Sequence, residues 1–88
     1  MQRKVTDNTA AQELKELLMA SLPAILARED IEKHLGGAVS RQTLAKADSE
    51  GNGPDGAFTL GRKVVYRTDK LVPWLIERYG VRFRNPQL

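Results

Sequence analysis

The side chains that most often do covalent or metal chemistry are scarce in this sequence, which has no cysteine and a single histidine, His34. Without thiols there is neither a disulfide framework nor a thiolate zinc site, so the fold must stand on packing alone. His34 falls in the last turn of an expected helix, where an imidazole suits the negative end of the helix dipole and reads as a solvated residue. Glu29, Asp30 and Glu32 bring three carboxylates close together, and on a short helix these make a solvated acidic face more simply than an acid–base pair. Neither standard spacing of a glycine-rich phosphate loop is present. These absences predict a protein without enzymatic activity, cofactor, metal or small-molecule substrate.

The cations are grouped in a more informative way. Residues 1–39 carry five Lys/Arg against six Asp/Glu, whereas residues 40–88 carry nine against five, so the net charge of +3 comes from the second half. Two clusters hold most of it. Ser40, Arg41, Gln42, Thr43 and Lys46 form one, and Arg62, Lys63 and Arg67 form the other, in a stretch from Gly56 to Thr68 that contains no acid. Arginine pairs bidentately with guanine and glutamine with adenine in the major groove, while basic side chains on a turn grip phosphates.

The elements that must position these clusters can be read from the pattern. Thr9 and Gln12 have the spacing of a capping box, which predicts a first helix from about Ala10 to Ala20 with Leu14, Leu17 and Leu18 as an apolar stripe, ended by Pro23. A second helix is expected from about Arg28 to Leu35, with Ile31 and Leu35 on one face, closed by Gly36-Gly37. Ser40 is a good N-cap for a third helix from Arg41 to about Asp48, with Leu44 and Ala47 or Ala45 inward and Arg41, Gln42 and Lys46 outward. Two short helices joined by a glycine turn outline a helix-turn-helix.

Residues 51–56, Gly-Asn-Gly-Pro-Asp-Gly, must be a loop. A β-hairpin then follows over Ala57–Leu60 and Val64–Arg67. A three-residue tip, Gly61-Arg62-Lys63, pairs Leu60 with Val64 and Phe58 with Tyr66 and gives the hairpin one apolar face, whereas a two-residue tip sets Phe58 and Leu60 beside Lys63 and Arg67. The first register is preferred because it provides a core face. Thr68-Asp69 starts a last helix carrying Leu71, Trp74, Leu75 and Tyr79, but Pro73 requires either a start near Val72 or an irregular first turn. Gly80 stops it, and residues 81–88 read as a flexible basic tail, with entry of Val81–Arg84 into a minor groove as the alternative.

The chain has 88 residues, 41% hydrophobic and 28% charged, which suits one folded domain. The most apolar stretch, Leu17–Ala27, spans eleven residues and contains Ser21 and Pro23, short of the roughly 20 needed for a membrane span. Asp7, Glu13 and Glu16 separate Arg3-Lys4 from it, unlike a secretory signal. A cytoplasmic protein is expected.

The segments Ile25–Gly36, Val39–Leu44 and Leu60–Leu71 with Trp74-Leu75 resemble the excisionase and MerR-like winged helix-turn-helix family of phage and mobile-element regulators. The resemblance spans about Ile25 to Tyr79 and is most specific over Gly61-Arg-Lys-Val-Val-Tyr-Arg67 and Asp69 through Trp74-Leu75. It implies a mainly α fold with a small β-hairpin, a winged helix-turn-helix DNA-binding domain at 25–80; the N-terminal helical extension over residues 1–24 lies outside the resemblance. The resemblance further implies that Ser40, Arg41, Gln42, Thr43 and Lys46 belong to a recognition helix and Arg62, Lys63 and Arg67 to the wing. The implied partner is double-stranded DNA, and the implied role that of an excisionase-type factor or a transcription regulator. Gly37-Ala38 departs from the family pattern as an insertion in the turn, Ala47 stands where an aromatic is common, and the 51–56 loop is long. The Leu14, Leu17 and Leu18 stripe either packs on the domain or forms a homodimer. A protein-interaction module on the same fold, such as a phage assembly or inhibitor subunit, is the reading from another class.

Overall fold

The computed structural model describes residues 6–84. Arg3, Lys4 and the last part of the expected tail, residues 85–88, lie outside them. The element order is α1 (Asn8–Ser21), β1 (Ile25–Ala27), α2 (Arg28–His34), α3 (Arg41–Ser49), β2 (Phe58–Leu60), β3 (Lys63–Arg67) and α4 (Thr68–Tyr79). Four helices thus accompany a small antiparallel sheet of strand order β1-β3-β2, with β3 in the centre. Among the described residues, no helix is long and apolar enough to cross a membrane.

The start of α1 differs from the expected capping box. The Asp7 carboxylate, not the Thr9 hydroxyl, accepts from the backbone N–H groups of Thr9 and Ala10, at 2.8 and 3.2 Å, and Gln12 instead donates to Glu16 at 2.8 Å. An ionised acceptor makes the stronger bond at the positive end of a helix, so Asp7 outcompetes a hydroxyl two residues on. α1 packs along α4, and the Asp7 N–H donates to the Val81 carbonyl at 2.6 Å, which ties down the first residue of the expected tail. The leucine stripe divides between two surroundings. Leu14 and Leu18 line an apolar groove with Leu35, Val39, Leu75 and Tyr79, while Leu17 faces solvent.

β1, which no periodicity announced, pairs Leu26 with Tyr66 and Ile25 with Arg67. The hairpin takes the two-residue register: Phe58 pairs with Val65, Thr59 with Val64 and Leu60 with Lys63. The expected three-residue register is therefore wrong. Gly61, with φ of 64°, takes the first central position of the turn, a positive dihedral that glycine adopts without steric cost and that suits the right-handed twist of the strands. In consequence Tyr66 and Leu26 turn inward, whereas Phe58, Leu60 and Ile25 share the outer face and remain 52%, 70% and 56% exposed.

The core gathers Leu26, Ile31, Val39, Leu44, Tyr66, Leu71 and Leu75, drawn from the sheet, all three later helices and the turn before α3. Gly36 and Gly37 both have positive φ, 60° and 83°, which reverses the chain between α2 and α3. α4 begins at Thr68, not near Val72. Its N–H donates to the Ala24 carbonyl at 2.9 Å and its hydroxyl to the Pro23 carbonyl, so the first turn is anchored from outside and Pro73, exposed, is carried within the helix. The indole N–H of Trp74 donates to the Asn52 carbonyl at 2.7 Å and moors the 51–56 loop against α4.

Candidate nucleic-acid interface

α3 is fixed at its start by two acceptors. Ser40 Oγ accepts from the Thr43 N–H at 3.1 Å and lies 2.9 Å from Thr43 Oγ1, so both hydroxyls are engaged in the cap. Glu32 of α2 accepts from the Arg41 N–H at 2.8 Å and satisfies a further free donor of the first turn. Leu44 and Ala47 are buried on the inner side, which leaves the side chains of Arg41, Gln42 and Lys46 exposed on the outer one.

The other end of α3 is held by a polar triad that sequence reasoning did not find. Arg28 donates from Nε to the Tyr66 hydroxyl at 3.0 Å and from Nη2 to Asp48 at 2.6 Å, while the Tyr66 hydroxyl donates to the same Asp48 oxygen. Three elements, the start of α2, the end of α3 and β3, therefore meet in one network beside the core. Burial, and then the hydrogen bond given to Asp48, push the Tyr66 phenol up to about 12. No local pattern signals this contact, since the three residues lie 18, 20 and 38 positions apart.

The hairpin cations are placed unequally. Arg62 is the second residue of the turn and is exposed at the tip. Lys63 forms an ion pair with Glu29 of α2. Arg67 lies at the far end of β3, about 13 Å further along at the usual rise per residue, and makes a bidentate pair with Asp69 at 3.0 and 2.7 Å. The structure thus gathers Arg41, Gln42, Thr43 and Lys46 on α3 behind their Ser40 cap and ties Lys63 to the neighbouring α2, while Arg67 is paired at the other end of β3.

Two carboxylates of α2 make the connection between the clusters. Glu29 and Glu32 are three residues apart and so face the same side of the helix, where one holds the Lys63 ammonium and the other the Arg41 N–H. Lys63 of the hairpin and the first residue of α3 are therefore both tied to one face of α2, and Arg41 lies close enough to Glu29 for its charge to act on that carboxyl. The hydrogen bond from Lys63, followed by the charges of Lys63, Lys33 and Arg41, holds the Glu29 carboxyl below its usual range. The acidic segment read as a solvated face is in part a set of acceptors for its neighbours; its i, i+3 spacing opposite a basic hairpin was the available signal. The chain matches no protein-family model, no curated protein and no solved structure at a significant level.

Proposed function

We propose that the chain is a winged helix-turn-helix protein that binds double-stranded DNA sequence-specifically, with α3 in the major groove and the hairpin tip on neighbouring phosphates. The observation that supports this reading is that Glu29 and Glu32, on one face of α2, hold the Lys63 ammonium and the Arg41 backbone N–H. Arg41 and Gln42 are the base-reading side chains and Lys46 flanks them, while Arg62 and Lys63 supply sequence-independent attraction. Arg67, paired with Asp69 at the other end of the strand, is not among the groups we assign to phosphate. The resemblance to excisionase and MerR-like regulators suggests an architectural or regulatory role in a phage or mobile element, exercised in the cytoplasm by binding alone.

Selection of bound duplexes from random DNA tests this directly, with enrichment of a common sequence as the expected result. Arg62→Ala should then weaken binding to all duplexes and lower the salt slope by about one unit, and Arg41→Ala should cost about 1–3 kcal/mol at preferred sites. Recovery of no common sequence would overturn the assignment of α3 to base reading. A second reading, contact with another protein, is favoured by one observation: Ile25, Phe58 and Leu60 are exposed together on the outer sheet face.

A further inference from the structure

Glu29 shares a face of α2 with Glu32 and has cations on three sides. It stands in the first turn of α2, with Lys63 paired to it from the hairpin, Lys33 one helical turn further along and Arg41 across from it on α3. The pair is open to solvent, with the Lys63 side chain 58% and the Glu29 side chain 39% exposed, so a ligand can reach both. A carboxylate offers an ammonium the same kind of anionic oxygen as a phosphodiester does. In the free protein the Glu29 carboxylate relieves the repulsion among these cations, whereas beside a duplex it would face phosphates of its own sign.

We propose that Glu29 is an internal competitor for a backbone phosphate: on binding, Lys63 exchanges the carboxylate for a phosphate oxygen, with Lys33 and Arg41 flanking the same position. The inference rests on the DNA-binding reading and adds to it a phosphate position between hairpin and α3, a further contact residue in Lys33, and an acid that weakens binding to every duplex alike. Because exchange of one ion pair for another leaves the fold in place, the effect is read in affinity and salt dependence rather than in stability.

Glu29→Gln keeps the size of the side chain and removes its charge. Binding of a random-sequence duplex by mobility shift, between about 50 and 200 mM salt, should be about fivefold tighter than for the unmodified protein, with a salt slope steeper by about 0.9. Glu77→Gln, at an exposed position of α4 beside α1 and away from Glu29, changes the net charge equally and should alter affinity by less than about twofold. Adding Lys63→Ala to Glu29→Gln should return the slope to its original value. Equal gains from Glu29→Gln and Glu77→Gln would overturn the competitor and leave DNA binding standing. Failure of the unmodified protein to retain any duplex at the lowest salt would bring down both.

Discussion

Removing the Tyr66 hydroxyl isolates the contribution of the triad, since Tyr66→Phe leaves the ring and its packing in place. Tyr66 is fully buried, and its hydroxyl accepts from Arg28 at 3.0 Å and donates to Asp48. Hydrogen bonds to charged groups contribute about 1.5–3 kcal/mol each, but Arg28 and Asp48 keep their mutual bond and are 25% and 24% exposed, so water replaces part of the two lost bonds and a net loss of about 2 kcal/mol is expected. For a domain of this size that lowers the thermal midpoint by roughly 10 °C. Urea denaturation at neutral pH measures the loss, and a value under about 0.5 kcal/mol would refute the reasoning, because Arg28 and Asp48 would then satisfy one another without the phenol. The alkaline limb gives an independent check. An unfolded tyrosine ionises near pH 10, about two units below the folded phenol, so the unfolded state releases its proton first. The stabilisation is complete below pH 10 and is lost with the slope of one proton as pH rises toward 12. The difference between the unmodified protein and Tyr66→Phe should therefore hold steady up to pH 10 and narrow above it. A difference unchanged at pH 12 would refute the assignment of the titration to Tyr66.

Ser40→Ala should cost about 1 kcal/mol through loss of the α3 cap, and Ser40→Asp should largely preserve stability; identical melting of the Ala variant and the unmodified protein would reject the cap. At Gly53, a methyl group would fall 1.8 Å from Asp48 Oδ1, and Asp48 cannot retreat without leaving Arg28 and Tyr66. Gly53→Ala should therefore cost about 1–3 kcal/mol in chemical denaturation, and most of that cost should vanish in an Asp48→Ala background, because the two changes share one contact.

Helix ends were the most legible part of the fold, because capping is local chemistry. Ser40 caps the start of α3, and Gly36-Gly37 and Gly80 follow the ends of α2 and α4 as expected; spacing placed Leu44 inward but left Ala45 and Ala47 as alternatives, of which Ala47 is buried. The start of α1 was misplaced: the Thr9/Gln12 spacing pointed to a capping box, whereas the cap is the Asp7 carboxylate two residues earlier. The hairpin register was misjudged for an instructive reason. Requiring one apolar face is sound where a strand is covered, but β2 is an edge strand whose outer face is open, so Phe58 and Leu60 are free to lie beside Lys63 and Arg67. The turn chemistry of Gly61 was the better guide. β1 is only three residues long and carries no alternation to detect. For the interface, the outward cations of α3 and the exposure of Arg62 followed from sequence, whereas the roles of Glu29 and Glu32 depend on contacts across 34 and 9 residues.

Trp74 is the one tryptophan of the chain, and its indole binds the 51–56 loop while the Arg78 guanidinium lies 5.2 Å from its ring centroid. That placement makes it a native fluorophore at the seam between loop and helix. Undocking of the loop would break the indole hydrogen bond and wet the ring, shifting its emission to longer wavelength without any change in far-ultraviolet circular dichroism. Release of this segment and global unfolding can thus be told apart optically, with no label attached.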